Sequence, residues 1–521
     1  MKHGTPLNPD AIVAVIGAGA MGAGIAQVAA MAGHPVVLHD ARALAATKAI
    51  AGIETALLKL AEKGKLAVAE VSLITARLSA AESLADCKPA ALVIEAIVEN
   101  LSVKRELFAK LEELVADHTV LATNTSSISV TSIGATLRLP QRLVGMHFFN
   151  PAPLMQLVEV VSGMATAPEV AACMFATAQA WGKVPVHARS TPGFIVNRVA
   201  RPYYAEGLRL LTEGAADVAT LDAVMREVGG FRMGPFELMD LIGHDVNYAV
   251  TRSVFDAFYG DPRFTPSLAQ LELVNAGFLG RKSGRGFYDH SSNAVAPSPQ
   301  KESAAPAPGY ARVYPAQGVC RGFVERLAQV PGVTVCEAIA DSTVSGFSSP
   351  CLVDIQEAGA AVLYLSDGRT ATQRAAQCAQ PNTMLIDLAL DYSSSKRVAL
   401  ACADSCSPRA RDAMVGLLQH AGWVVTLLDD VAGLAVMRTV AMLANEAAET
   451  VLQGVCDASA VDLAMQKGVN YPVGPLAWAE AIGLAAVCRV LDNLQKTYGE
   501  DRYRTSAWLR RRAMGVAPVA G

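Results

Sequence analysis

Over the first 190 residues, short runs of apolar and β-branched residues alternate with Ala-rich amphipathic stretches. Residues 11–16, 35–40, 91–96, 120–124 and 143–147 are short, mainly apolar runs and read as buried strands. The stretches between them, such as 22–32 and 103–115, read as helices. This alternation predicts a parallel sheet with helices on both faces. After Thr191 the strands cease. Residues 194–213, 219–228 and 236–258 read as helices, so 191–290 is expected to be a separate all-α domain.

Residues 291–311 read SSNAVAPSPQKESAAPAPGYA, without apolar periodicity, the composition of a flexible linker. Strand-like runs return at 333–335, 361–364, 383–388 and 398–401, and a helical region follows Gly433. The expected division is therefore 1–190 α/β, 191–290 helical, 291–311 linker, 312–430 degenerate α/β and 431–521 helical. The two helical parts are repeats. At a constant offset of 240, Gly182 falls on Gly422, Gly193 on Gly433, Arg198 on Arg438, Glu206 on Glu446 and Gly234-Pro235 on Gly474-Pro475. Helix packing alone does not hold loop glycines in one ungapped register, so this is a duplication.

Composition narrows the function. The 521 residues are 52% hydrophobic and 18% charged with a net charge of −4, a globular balance that gives no reason to expect a nucleic-acid or membrane partner. No run reaches the roughly 20 apolar residues of a membrane span, and the first ten residues lack the apolar core of a secretory signal. Ten cysteines occur, none in a CxxC pair; Cys402 and Cys406 are one step too far apart. Reduced thiols in a cytoplasmic protein are expected, with no metal site.

Gly17-Ala18-Gly19-Ala20-Met21-Gly22 is a GxGxxG sequence that follows a strand and opens a helix. In that setting the first glycine permits the turn, the second lets backbone approach a pyrophosphate, and the third lets helix and strand pack. Asp40 ends the next strand 23 residues after Gly17, where a carboxylate bonds the adenosine ribose. An acid there repels a 2′-phosphate, so NAD is expected over NADP, although Arg42 lies nearby.

The chain resembles the 3-hydroxyacyl-CoA dehydrogenase family from about residue 11 to 290. The resemblance is carried by VIGAGAMGAGIAQ, VIEAIVENLSVKRELF, LATNTSSISVTSI, GMHFFNPAPLMQLVEVV, TPGFIVNR, MGPFELMDLIG and GRKSGRGFYD. Its two-part layout looks like the long bacterial form linked to phenylacetate and short-chain fatty-acyl catabolism. The resemblance implies a Rossmann-like NAD-binding domain and an all-α domain like the C-terminal part of 6-phosphogluconate dehydrogenase, then a degenerate α/β domain and a second all-α domain. It implies that His147 is the catalytic base, a role suited to a group that titrates near neutrality. By itself, a histidine in a Phe-rich stretch is more often a packed structural residue. Glu159, a carboxylate amid apolar neighbours and so in need of a partner, is implied to orient His147. Ser126 and Asn197 are implied to bond the substrate where charge develops; outside the family, Ser126 reads as a turn residue. Glu99, Lys104, Asn150 and Lys282 match cofactor-contacting positions, and Lys63 loosely matches a lysine beside the CoA phosphates.

In the second half the glycine loop is missing. His147 meets Asp387, Glu159 meets Ala399 and Asn197 meets Met437. The expected reaction is oxidation of an (S)-3-hydroxyacyl-CoA by NAD in a cleft between the first two domains. The expected substrate is short-chain, such as 3-hydroxybutyryl-CoA, ahead of dicarboxylic 3-hydroxyadipyl-CoA. A hydroxy-acid dehydrogenase without CoA and a silent NAD-binding structural protein are the alternatives. The second half is expected to pair with the first as an internal pseudo-dimer, with further association of chains left open.

Overall fold

A computed structural model of the chain describes residues 4–336 and 351–515. Residues 337–350 of the expected degenerate domain and 516–521 of the second helical domain lie outside the described residues. The chain divides into two compact units. One joins Met1–Arg198 to Gln453–Val469; the other comprises Val199–Leu452 and Asn470–Gly521.

In the first unit, β1 (Val13–Ile16), α1 (Ala20–Met31), β2 (Val36–His39), α2 (Ala45–Glu62), α3 (Val68–Thr75) and β3 (Leu78–Ala80) form the first wing. Next come β4 (Leu92–Glu95), α4 (Leu101–Leu114), β5 (Val120–Thr123), α5 (Val130–Gly134) and β6 (Leu143–Phe148). The sheet then ends with β7 (Leu157–Ser162), α6 (Pro168–Ala180) and β8 (Val184–Arg189), followed by α7 (Val196–Val199). The strand order is β3-β2-β1-β4-β5-β6-β7-β8. The order reverses between β1 and β4, where doubly wound sheets bind ligands at the carboxyl ends of their strands. The expectation of an all-parallel sheet needs correction. β6 and β7 are antiparallel, because residues 149–156 between them are too few for a crossover helix.

In the second unit, the first-half helices are α8 (Arg201–Thr212), α9 (Val218–Glu227), α10 (Pro235–Ile242), α11 (His244–Ala257) and α12 (Leu268–Asn275). Two of the expected long helices are broken. Pro202 has no N–H to continue the ladder, so 194–213 divides into α7 and α8. Gly243, at φ +98°, separates α10 from α11 within 236–258.

The second half begins with β9 (Ala311–Val313), α13 (Arg321–Leu327), β10 (Val333–Val335), β11 (Cys351–Ile355) and β12 (Ala361–Leu365). It continues with α14 (Ala371–Cys378), β13 (Thr383–Ile386), β14 (Arg397–Cys402), α15 (Pro408–His420) and β15 (Val424–Leu427). These strands form a smaller mixed sheet, β10-β9-β11-β12-β13-β14-β15. The final helices are α16 (Val436–Leu452), α17 (Ala458–Val469), α18 (Pro475–Ile482), α19 (Leu484–Tyr498) and α20 (Ala507–Ala513). The 291–311 segment is not the free tether its composition suggests. Glu302 N–H bonds Val425 O at 2.8 Å, Ala305 N–H bonds Gln419 Oε1 at 2.8 Å, and Ala311 already belongs to β9.

The duplication extends into the sheets. At the 240 offset β6, β7 and β8 correspond to β13, β14 and β15, and α8 to α16. Left-handed positions recur with it: Gly193 and Gly433 have φ +74° and +78°, and Phe194 and Leu434 have φ 47° and 53°. Each half lends one helix to the other half's sheet. In the second unit α9 lies on β14, with Arg397 Nε 3.0 Å from Glu227 and Leu390 N–H bonded to Val228 O at 2.9 Å. In the first unit α17, the counterpart of α9, packs on β7 and β8. A Cβ on Gly468 of α17 would lie 2.6 Å from Leu157 Cδ2, so a side chain there would have to push Leu157 aside. In the second unit α8 packs against its own counterpart α16. Arg263 bonds Glu446 at 3.2 Å, and the swapped positions Tyr503 and Glu206 bond at 3.1 Å. This is the reciprocity of a pseudo-two-fold contact.

Candidate active site

The three loop glycines are required for three different reasons. Gly17 has φ +105°, and a Cβ there would lie 2.4 Å from Ala96 O. A Cβ on Gly22 would lie 1.7 Å from Gly17 O, so α1 touches the turn directly. A Cβ on Gly19 would meet nothing within 4 Å: backbone is open where a pyrophosphate would lie. Ala20 and Met21 begin α1, whose first turn has no side-chain cap and no acid. An uncapped helix start of this kind favours an anion. These residues fit NAD.

Asp40 follows β2 and accepts the Ala18 N–H at 2.8 Å. It also accepts Arg42 N–H at 2.9 Å and Arg42 Nε at 3.0 Å. The Arg42 guanidinium holds the Asp40 carboxyl well below the usual carboxylate range.

A buried charged cluster stands at the ends of β4 and β5. Glu95 accepts Lys104 Nζ at 2.6 Å, Thr123 Oγ1 at 2.6 Å and Ile97 N–H at 2.8 Å. Lys104, expected as a cofactor contact, is itself buried, with its ammonium also 3.3 Å from Glu99. Glu99 accepts Thr125 Oγ1 at 2.6 Å and the N–H groups of Ser126 and Ser127 at 3.0 Å each. Burial pushes the Glu99 carboxyl up, but the bonds from Thr125, Ser126 and Ser127 and the Lys104 charge outweigh it and hold the pKa at about 2.

His147 is buried on β6, directly across from Glu159 on β7. The antiparallel pairing makes this cross-strand contact, and His147 Nδ1 lies 2.5 Å from Glu159 Oε2. The other carboxylate oxygen of Glu159 accepts Ile195 N–H at 3.0 Å and Val196 N–H at 2.9 Å. Glu159 is fully buried, and these bonds satisfy it. Phe149 and Phe194 flank the imidazole, at ring-centroid distances of 4.5 and 5.8 Å. Asn197 follows Val196, and its Nδ2 lies 3.4 Å from Ser126 O. One bonded path thus runs from His147 through Glu159 to the start of α7, then from Asn197 to Ser126 and Glu99.

Among the described residues no hydrogen bond joins the other expected site residues to this path. Asn150 is exposed at the loop after β6, and Lys63 is exposed at the end of α2. Lys282 belongs to the second unit, where Asp245 holds its ammonium at 2.5 Å. Sequence reasoning missed Glu95 and also Asn124, whose Oδ1 accepts Phe148 N–H at 2.8 Å. The signal for Glu95 was present: an acid ending an apolar strand needs a buried cation.

The second half keeps the anchor and loses the chemistry. Asp387, at the position of His147, accepts Ala435 N–H at 2.9 Å, Val436 N–H at 2.7 Å and Met437 N–H at 2.9 Å. Ala435 and Val436 are the counterparts of Ile195 and Val196. A single aspartate performs the anchoring that Glu159 performs in the first half, with no imidazole. Burial pushes its carboxyl up to about 6 against these bonds.

A nucleotide-type glycine loop on a doubly wound sheet, with a carboxylate-held imidazole on the same sheet, defines a nicotinamide-dependent dehydrogenase. Three family domains match the chain. They are the 3-hydroxyacyl-CoA dehydrogenase NAD binding domain at residues 12–191, the C-terminal domain of the same family at 193–290 and 433–514, and the 3-hydroxybutyryl-CoA dehydrogenase reduced Rossmann-fold domain at 363–431. The 3-hydroxyadipyl-CoA dehydrogenase of Escherichia coli is 43% identical over 507 residues, 96% of this chain and 97% of that one. A probable 3-hydroxybutyryl-CoA dehydrogenase of Bacillus subtilis is 42% identical over 278 residues, covering 53% of this chain and 96% of its own. A crystal structure of 3-hydroxybutyryl-CoA dehydrogenase from Escherichia coli superposes with a TM-score of 0.85 at 42% identity, covering 98% of this chain and 99% of that one. The chain belongs to the 3-hydroxyacyl-CoA dehydrogenase family, in its long two-part form, and is an NAD-dependent oxidoreductase. Among the described residues no helix is long and apolar enough to cross a membrane.

Proposed function

We propose that His147 is the base that takes the 3-hydroxyl proton while hydride leaves C3 of an acyl-CoA, and that the acyl group is dicarboxylic, 3-hydroxyadipyl-CoA. The observation that carries the first part is the buried His147–Glu159 pair. With Nδ1–H donating to Glu159, Nε2 keeps the lone pair that takes the hydroxyl proton. The imidazolium so formed faces a buried carboxylate, which stabilises it. Ser126 and Asn197 hold the substrate oxygen, and Glu99 fixes the turn that carries Ser126. Bound NAD would supply the hydride acceptor, held by Gly17, Gly19 and Gly22 with Asp40 on the ribose.

The dicarboxylic reading is supported by a relative that shares both halves of this chain and is named for 3-hydroxyadipyl-CoA; a solved structure that also shares both halves is titled for 3-hydroxybutyryl-CoA, so the two substrates are compared directly. We place the reaction in the cytoplasm, in fatty-acyl or phenylacetate-type catabolism, a compartment that suits ten free thiols. The second helical part serves as a built-in dimer partner for the first.

The test is NADH formation from 3-hydroxyadipyl-CoA and (S)-3-hydroxybutyryl-CoA by wild type and His147→Gln. The variant loses at least about 100-fold in kcat while still binding NADH. Near-normal turnover removes His147 from the role of base. Equal kcat/KM for the two substrates removes the dicarboxylic assignment.

A further inference from the structure

Within the second unit, a cavity of about 220 Å³ lies among α8, α11 and the turns Pro262–Phe264 and Asp501–Tyr503. Its wall includes Arg201, Arg209, Arg263 and Arg502 together with Leu208 and Phe264. Three of these arginines have carboxylate partners. Arg209 pairs with Glu206, Arg263 with Asp261 and Glu446, and Arg502 with Glu500.

Arg201 is different. It is only 5% exposed, yet among the described residues no carboxylate reaches it. Nη1 donates to Thr251 Oγ1 at 3.0 Å, and the guanidinium lies 4.8 Å from the Tyr204 ring centre. Its Nε is buried without a hydrogen-bond partner, as is the Nε of Arg502 on the same wall. Burial lowers the Arg201 pKa and no anion raises it; only the tyrosines Tyr204 and Tyr471 act the other way. A buried cation without a counter-charge is costly, and such groups are kept where a ligand supplies the charge.

We propose that this cavity binds the carboxylate of a short organic acid, with the carboxylate on Arg201 and the carbon chain against Leu208 and Phe264. A planar guanidinium matches a carboxylate edge to edge. The apolar wall suits a carbon chain better than a hydrated phosphate, which would have to shed its water there. The group is presented by a free short-chain acid, such as a short dicarboxylate.

Full-length wild type, Arg201→Met and Leu208→Trp are titrated with adipate and, at matched ionic strength, with inorganic phosphate. Calorimetry and thermal melting are the readouts. Adipate binds wild type saturably and raises its Tm, both variants bind it at least about tenfold more weakly, and phosphate gives no saturable signal. Leu208→Trp keeps the arginine and fills the cavity, so the proposal stays open to refutation even where Arg201→Met fails to fold. Adipate affinity unchanged in either folded variant overturns the site, and phosphate binding as tightly as adipate overturns the carboxylate assignment.

Discussion

At the residue scale the site is organised by carboxylates that have little freedom. Glu99 is held at about 2, against 4.5 for an unconstrained glutamate, by the Thr125–Ser127 turn and Lys104. A depressed acid contributes stability that is complete above the unfolded value and is lost as pH falls from about 5 towards about 2. Its side chain is 36% exposed, which reduces the contribution to roughly 1–2 kcal/mol. Glu99→Gln should therefore melt lower at pH 6 and show a shallower fall in Tm between pH 5 and 3 than wild type. Parallel acid profiles for the two proteins would mean that the turn does not depend on the charge. Asp40 presents a different case, since Ala18 and Arg42 already occupy its oxygens. Asp40→Ser removes the charge that repels a 2′-phosphate and leaves Arg42 free. Its NADP-to-NAD ratio of kcat/KM should rise at least about tenfold, and an unchanged ratio would assign selectivity to another residue. Motif spacing made the place of Asp40 after β2 legible, and family resemblance pairs His147 with Glu159, which the strand pairing sets opposite each other. Lys104 was misread. Nothing in its helical position shows that Glu95, nine residues earlier, turns it inward.

At the element scale, strands buried on both faces were visible as apolar runs, and the helix breaks were not. Pro202 and Gly243 carry the information for the two breaks, yet continuous apolar periodicity across each masked it. Mixed sheet direction was also hidden, since it follows from loop length and not from strand composition. The start of α7 and its counterpart at Ala435–Met437 show what the duplication preserved. Both put a buried carboxylate on backbone N–H groups, Glu159 from β7 in one half and Asp387 from the position of His147 in the other. Asp387→Asn puts an amide N–H₂ against the N–H groups of Ala435 and Val436, leaving two buried donors unpaired. The expected loss is about 2–4 kcal/mol of unfolding free energy in urea. Turnover per folded molecule should stay within about twofold, because no group at this second start takes part in chemistry. A stability change below about 1 kcal/mol would show that the region relaxes freely and that the anchor is dispensable.

At the scale of the whole molecule, the repeat decides what the second half is for. The offset of 240 was readable from glycines, but the exchange of α9 and α17 was not, because linear sequence carries no record of which sheet a helix covers. The first unit includes Gln453–Val469, and α17 lies on β7 and β8 with Gly468 set against Leu157. Arg198 bonds Gln453 at 2.8 Å, and Arg189 N–H bonds Val455 O at 2.9 Å. A fragment of residues 1–303 therefore loses the cover of its own sheet as well as the partner of α8, and both apolar faces meet water. Such a fragment should aggregate, or associate into dimers in which each copy's α9 takes the place of α17 on the other's β7. The repeat gives α9 the helical length and spacing for that substitution. The covalent chain avoids this concentration dependence by holding the second copy at high effective concentration. Size-exclusion chromatography and light scattering of the fragment across a hundredfold concentration range test the idea, with NADH formation measured in each fraction. Activity should follow the associated fraction, and adding residues 304–521 in trans should restore a soluble one-to-one complex. A monomeric fragment with full activity at every concentration would show that the second half is no structural substitute, and the α8–α16 contact would then need another explanation.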